Sequence, residues 1–299
     1  MEIRLLQYFL KVAETQNITQ AAAELHITQP TLSRQIHAFE ERLQTNLFIR
    51  DNKKLTLTDS GRFLKAKAEE LVALDQKTEQ EFATYQDREL TGKVTIGCIE
   101  SENSTFMAQI MKTMRQKHEQ VTFEIYSGNG NDILDKLENG LLDLAFMVGP
   151  LNPDMADFHL THLPGKEILG VVVTNDSPLA QKEGITAEDI KRLPIIGAKR
   201  EAVQESFYHW GNFQPEELNI IGMYNLIFNV LPMVREGVGV ALAISGSSIG
   251  DEDGTKFIPL TPTLAADRML VWKKNRILSP TAQEFIQLVN HASKASDEA

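Results

Sequence analysis

Cysteine is almost missing from this chain: Cys98 stands alone among 299 residues. No disulfide can form within it, and the cytoplasm is its simplest location. No apolar run approaches the roughly 20 residues of a membrane-spanning helix. The opening MEIRLLQYFLKVAE has amphipathic helical spacing, without the cleavable pattern of an export leader. Positive charge is also short, with 30 Lys and Arg against 41 Asp and Glu, a formal net charge of -11. That balance argues against loose attachment of the whole molecule to nucleic acid or membrane. Catalytic constellations are lacking too. GSSIG, 246–250, matches G-x-S-x-G around Ser248, but DEDGTKFIPL follows it as loop and strand where a nucleophile elbow needs a helix. GNGNDI and GVGVAL lack the third glycine of a phosphate-cradling loop. His159 and His162 have no carboxylate or cysteine at metal-ligand spacing. Neither an enzyme, a metal site nor a resident cofactor is expected.

What is present is ordinary globular material, 42% hydrophobic and 24% charged, enough for two or three domains. Its charge is uneven. Residues 1–58 carry seven basic and six acidic side chains, or +1, which leaves -12 for everything after them. Leu5, Leu6, Phe9, Val12 and Ala13 recur at helical spacing. Asn17 or Thr19 can cap a second short helix through Ala21, Ala22 and Leu25, and His26-Ile27 makes a tight turn. Thr28 is placed to cap a third helix, with Pro30 in its first turn and Leu32, Ile36, Phe39 and Leu43 as its buried stripe. This is the grammar of a helix-turn-helix, whose second helix enters the DNA major groove. Gln29, Pro30, Thr31, Ser33 and Arg34 occupy its outer N-terminal face. Gln, Ser and Thr can bond base edges, arginine can grip guanine or phosphate, and the helix N-terminus favours phosphate. NLFIR and KLTLT read as a hairpin, and Arg50, Lys53 and Lys54 could reach the DNA backbone from it as a wing.

From Asp59 to about Tyr85 runs a polar helix in which Leu64, Ala68, Leu71, Asp75, Thr78, Phe82 and Tyr85 fall on steps of four and three. It is either a dimerising seam or a linker resting on one domain. After residue 93 apolar strands alternate with helices, which implies mainly parallel sheets with crossover helices: an α/β body. The strands are KVTIGC, VTFEIY, LLDLAFMV, ILGVVVT, LPIIGA, LNIIGMY, GVGVALAI and RMLVWKK. Helices are expected around 106–117, 133–139, 201–210, 226–236 and 281–292. Ser104 and Asn131 read as helix caps. Cys98, at a strand end, reads as inert core unless exposure and a low pKa make it redox-sensitive.

The string AAAELHITQPTLSRQI, with LFIR after it, resembles the N-terminal domain of LysR-type transcriptional regulators almost position by position. GKVTIGCIES, GLLDLAFMVGP, DSPLA and VREGVGVAL continue the resemblance more weakly along the chain. The resemblance implies a winged helix-turn-helix over 1–58, a linker and dimerisation helix over 59–90, and an effector-binding domain over 91–299. That last domain would be two-lobed, like type II periplasmic binding proteins, with lobe I at 93–161 and 268–295 and lobe II at 162–267. It further implies duplex operator DNA, a small-molecule effector and a homodimer or homotetramer, with RNA polymerase as a partner if the protein activates. DNA contacts would come from Thr19, Thr28, Gln29, Pro30, Thr31, Ser33, Arg34, Arg50, Lys53 and Lys54. The effector would meet Glu100, Ser101, Ser127, Gly128, Asn129, Lys199, Arg200, Tyr224 and Asn225. Lys199, Arg200 and helix N-termini favour an anion, whereas Glu100 and Glu102 disfavour one, so an acid and an amine both stay open. A solute-binding protein with the same two lobes would need an export signal.

Overall fold

The computed structural model describes residues 2–51, 54–84, 90–149, 155–246 and 254–297. The chain divides into two compact units, Met1–Ala83 and Thr84–Ala299.

In the first unit, helices α1 (Ile3–Thr15), α2 (Ile18–Glu24) and α3 (Gln29–Leu43) precede an antiparallel hairpin, β1 (Phe48–Asp51) and β2 (Lys54–Leu57). Phe9, Val12, Leu32, Ile36 and Phe39 are almost wholly buried in one core. Glu40 ties α3 to the hairpin, its Oε1 accepting from the backbone N–H groups of Leu47 at 2.7 Å and Phe48 at 3.2 Å. Helix α4 (Asp59–Thr84) follows. Its first turn runs so close to the hairpin entry that a β-carbon on Gly61 would collide with the Leu47 carbonyl oxygen. The expected seam on α4 is divided. Leu64 and Ala68 belong to the core of this unit, because α4 packs its first turns against α1–α3, while Leu71 and Phe82 are exposed. Tyr85 lies outside the described residues.

The second unit opens with β3 (Gly92–Cys98), α5 (Asn103–Lys117), β4 (Val121–Ser127), α6 (Gly130–Glu138) and β5 (Leu144–Val148). Then come β6 (Phe158–Thr174), α7 (Ala187–Ile190), β7 (Pro194–Ala198), α8 (Glu201–Gly211), β8 (Asn219–Tyr224), α9 (Leu231–Arg235) and β9 (Val240–Ile244). β10 (Thr255–Pro259), β11 (Ala265–Lys273) and α10 (Pro280–Asp297) complete it. Among the described residues the strands join in the order β4-β3-β5-β11-β6-β9-β7-β8, with β10 on β6. β3 is parallel to β4 and β5, and β7 to β8 and β9. These two parallel sets are the two lobes. Their apolar runs and intervening helices follow the alternation in the sequence.

Two antiparallel strands connect the lobes. β6 pairs with β11 through Phe158–His162 and Lys166–Ile168, then with β9 from Leu169 onward. β11 also pairs with β5, and α10 packs Phe285 and Val289 into the core of the first lobe. The first ten residues of β6 carry no apolar run, so periodicity places that strand only from residue 168. The helix expected over 226–236 is reduced to Leu231–Arg235. Ahead of it the backbone N–H of Ile227 is given to the Glu100 carboxylate instead of a helical turn.

Candidate functional site

Two places among the described residues are candidate binding sites. The first is the tip of α3. Asn17 caps α2, its Oδ1 accepting from Thr19 N at 2.9 Å and Gln20 N at 3.2 Å. Lys11 of α1 reaches Glu24 at the far end of α2 at 3.3 Å, which fixes the angle at which α2 leaves α1. Hydrogen bonding from Gln20 and Lys11 holds the Glu24 carboxyl below its ordinary pKa. His26 takes the left-handed backbone conformation, φ 56°, and turns the chain into α3.

Thr28 stands at the N-cap of α3, but its side chain caps nothing: its hydroxyl pairs with that of Thr31 at 2.8 Å. In the first turn of α3, Pro30 has no N–H and Thr31 N donates to the Thr28 carbonyl at 3.0 Å, so of its backbone donors the Gln29 N–H is the one left for a phosphate oxygen. Thr19, Thr28, Gln29, Pro30 and Arg34 are exposed and Thr31 and Ser33 half-buried, while Leu32 and Ile36 face the core. Arg34 lies along its own helix, with Nε donating to the Pro30 carbonyl at 3.2 Å. Arg50 and Lys54 fall on the hairpin strands. Their side chains, and Lys53 altogether, lie outside the described residues.

The second place is a cavity of about 670 Å³ at the C-terminal ends of the parallel strands of both lobes. Glu100, Gly128, Asn129, Lys199, Arg200, Tyr224 and Asn225 all line it. Two expected residues do not. Ser127 is exposed outside the cavity, because Gly128 is where the chain turns inward after β4. Ser101 is buried and turned toward the seam between the lobes, its Oγ accepting from Asn103 N at 3.2 Å. The expected cap at Asn131 is replaced by Asn129, whose Oδ1 accepts from Asn131 N and Asp132 N at 3.0 and 3.1 Å. Val148, Asp132, Ser206 and Ile227 line the cavity without having been expected. Val148 could have been found, since it ends β5 as surely as the other loop residues end their strands.

Among the described residues, two hydrogen bonds at this cavity run from lobe to lobe. The Glu100 carboxylate accepts the N–H of Ile227 at 3.0 Å, and the Arg200 guanidinium donates to the Val148 carbonyl at 2.9 Å. Burial pulls the Arg200 pKa below its ordinary value. Tyr224 gives its hydroxyl to the Leu242 carbonyl at 2.6 Å, so it offers the cavity a ring face. Burial, with the charge of Glu100 nearby, pushes its pKa up.

Beside the cavity, where β6 and β11 pass between lobes, lies a buried charge network. Glu167 is fully buried. It accepts from Ser245 Oγ at 2.8 Å and meets Arg268 Nε at 3.2 Å. Arg268 also donates to Asn103 Oδ1 and the Pro164 carbonyl, each at 3.2 Å, and lies 3.7 Å from Glu102. Burial raises the Glu167 pKa, against the opposing effects of Ser245, Arg268 and Ser101. Gly246, at φ +74°, lets the chain after β9 pass directly over the backbone of Glu102.

Elsewhere the chemistry is quiet. Cys98 is buried and its pKa is pushed up to about 11, the opposite of a redox-sensing thiol. Among the described residues no three His, Cys, Asp or Glu side chains gather into a metal site, and no helix is long and apolar enough to cross a membrane. Residues 247–250 of GSSIG lie outside the described residues.

Comparison with known proteins bears on both places. Residues 3–62 match the model of the bacterial regulatory helix-turn-helix protein, lysR family, and residues 87–294 match the LysR substrate binding domain. The uncharacterized HTH-type transcriptional regulator YvbU of Bacillus subtilis is 28% identical, covering 96% of this chain and 97% of its own. The Hca operon transcriptional activator HcaR of Escherichia coli is 27% identical, covering 97% of each. The LysR family regulator CbnR, solved with its target DNA, shares the fold at TM-score 0.76 and 17% identity, over 98% of this chain and 100% of that one. Matched along nearly its whole length by these two models, the chain belongs to the LysR family of DNA-binding transcriptional regulators.

Proposed function

We propose that this regulator reads an operator with the first two turns of α3 and answers to a small molecule held in the cavity between its lobes. The observation that carries the reading is the division of α3 into two faces. Leu32, Ile36 and Phe39 are spent on the core, while Gln29, Pro30 and Arg34 are exposed at its N-terminal end. A helix so divided can enter a major groove without disturbing its own fold. Thr19, Thr28, Thr31 and Ser33 add hydroxyls around the same tip, and Arg50, Lys53 and Lys54 supply cations from the wing. CbnR offers a precedent for this fold on target DNA.

Leu71 and Phe82, exposed on α4, suit pairing with a second copy, so the working form is a homodimer or homotetramer in the cytoplasm, with RNA polymerase as a further partner if it activates. Its work is binding and not catalysis. Gly128, Asn129, Lys199, Arg200, Tyr224 and Asn225 contact the effector, which shifts a standing balance between arrangements of the lobes and so the spacing of the DNA-reading heads.

Fluorescence anisotropy with the protein's own upstream DNA tests the first half. Binding should weaken steeply as salt rises, as phosphate neutralisation requires. Arg34→Ala should weaken it by about 1–3 kcal/mol with unchanged helical circular dichroism. Equal affinity of the variant would remove Arg34 from the interface. No retention of the upstream duplex at low salt would remove the reading itself.

A further inference from the structure

The charges around the cavity are arranged by lobe. Lys199 and Arg200 come from the loop after β7 in the second lobe, Glu100 and Asp132 from loops of the first. Asp132 is already occupied. It sits in the first turn of α6, where a carboxylate meets the positive end of the helix, and it accepts from Asn129 Nδ2. Asn129 in turn takes the Asn131 and Asp132 N–H groups, so this helix end has little left for an incoming anion.

Glu100 is different. It is half-buried in the cavity wall, and its recorded hydrogen bond is to a neutral backbone N–H, that of Ile227. Among the described residues no Lys, Arg or His nitrogen lies within 4.0 Å of it. Lys199 is its counterpart across the cavity: exposed, lining it, and without a carboxylate within 4.0 Å among the described residues. Arg200, next to it, is directed at the Val148 carbonyl. One wall thus holds an unneutralised anion and the other an unneutralised cation. Leu169, Val203, Leu242 and Leu264 line the same cavity.

We propose that the cavity takes a zwitterion, a small molecule bearing both an ammonium and a carboxylate on a partly apolar body, of the α-amino acid class. Its ammonium meets Glu100 and its carboxylate meets Lys199, so each charge on the walls gains an opposite partner in a recess where water screens less than in bulk. A simple dicarboxylate would leave Glu100 facing a like charge. A simple amine would do the same to Lys199. The volume of about 670 Å³ lies within the range of small-molecule sites. The inference rests on the reading of this cavity as the effector site.

The test uses the full-length chain and thermal shift followed by calorimetry. The probes are the twenty L-α-amino acids, the matching carboxylic acids without the amine, and the matching amines without the carboxylate. At least one amino acid should raise the melting temperature, and its two truncated relatives should not at the same concentration. Glu100→Gln keeps an oxygen for the Ile227 N–H but removes the charge, and should weaken that amino acid about tenfold to a hundredfold. Lys199→Met, at an exposed position where folding is not at stake, should weaken it by a similar factor. Equal binding of the deaminated acid, unchanged affinity in Glu100→Gln, or silence across all twenty amino acids overturns the zwitterion. An acid whose binding Lys199→Met abolishes, or an amine whose binding Glu100→Gln abolishes, would leave the cavity as effector site while overturning its proposed occupant. A ligand indifferent to both substitutions binds elsewhere, and the reading of the cavity falls with it.

Discussion

The head and the body of this regulator solve the same problem, holding polar groups ready for a partner, with chain neighbours in one case and distant segments in the other. In the head, Glu40 reaches Leu47 across seven residues, and the DNA-facing tip is the first two turns of one helix. In the body, Glu100 meets Ile227 across 127 residues and Arg268 meets Asn103 across 165. A local site stands or falls with a single helix and its small core. A distributed site depends on whatever keeps the lobes in register, which here is the buried network on β6 and β11.

The largest effect is expected where the head's core is opened. Phe39 is 1% exposed and anchors α3 against α1 and the hairpin. Phe39→Ala should cost about 3–5 kcal/mol, enough to melt much of so small a core. The body has its own cores and should keep its transition. Calorimetry should show the head's transition lost or lowered and DNA binding gone, with the body's melting unmoved. One transition shifting as a whole would show that the two units unfold together, and the comparison would lose its footing.

Next in size is the body's equivalent. Arg268→Met removes the cation from a fully buried carboxylate and should destabilise the body at pH 7 by about 3 kcal/mol. Glu167→Gln should cost less, since its amide can still meet Ser245, and Arg268 retains Asn103, Pro164 and Glu102. The pH dependence follows from the raised Glu167 pKa. The native state binds this proton more readily than the unfolded chain, so the carboxyl's contribution to stability is full below its ordinary value near 4.5 and is lost as pH rises through its native value. Denaturant melts should therefore show the Arg268→Met penalty shrinking on acidification toward pH 5. They should also show wild type gaining on Glu167→Gln over the same interval. A penalty independent of pH would mean that the arginine acts through packing alone.

The same contrast explains how much of the fold is legible in the sequence. The head was legible because each of its elements carries a nearby signal. Apolar residues recur every three or four positions, Asn17 announces α2, and Pro30 sits in the first turn of α3. Thr28 departs from the expected capping role because a hydroxyl at an N-cap position can equally bond a neighbouring hydroxyl. Leu64 and Ala68 have heptad spacing, but spacing does not say whether the partner is another chain or the same core. In the body, strands and most helices were legible from apolar runs, and the rule that ligands meet strand C-termini placed Lys199, Arg200 and Tyr224 correctly at the cavity. The connecting part of β6, LPGKE, reads as a loop because a buried Glu167 carries no sequence mark; only its distant partners make its burial tolerable. Ile227 was missed for the same reason, since a backbone N–H has no letter in a sequence.

The smallest effect concerns two caps of one kind. Asn17 serves α2 in the head and Asn129 serves α6 in the body, each accepting two backbone N–H groups. Loss of such a cap costs about 0.5–2 kcal/mol. Asn17→Ala should lower only the head's transition, by roughly 1 kcal/mol, and Asn17→Asp should restore it because a carboxylate accepts the same donors. Helix α2 has only seven residues, too few to persist without its packing and its cap. Its fraying would loosen the turn that aims α3, so DNA affinity should fall with the head's stability and recover with the aspartate. Asn129→Ala should lower the body's transition to a similar degree and leave DNA affinity of the isolated regulator alone. If Asn17→Ala instead shifted the body, or Asn129→Ala weakened DNA binding as much as Asn17→Ala does, stability would be passing between the units. The effects of local and distributed sites could not then be separated by where the substitution lies.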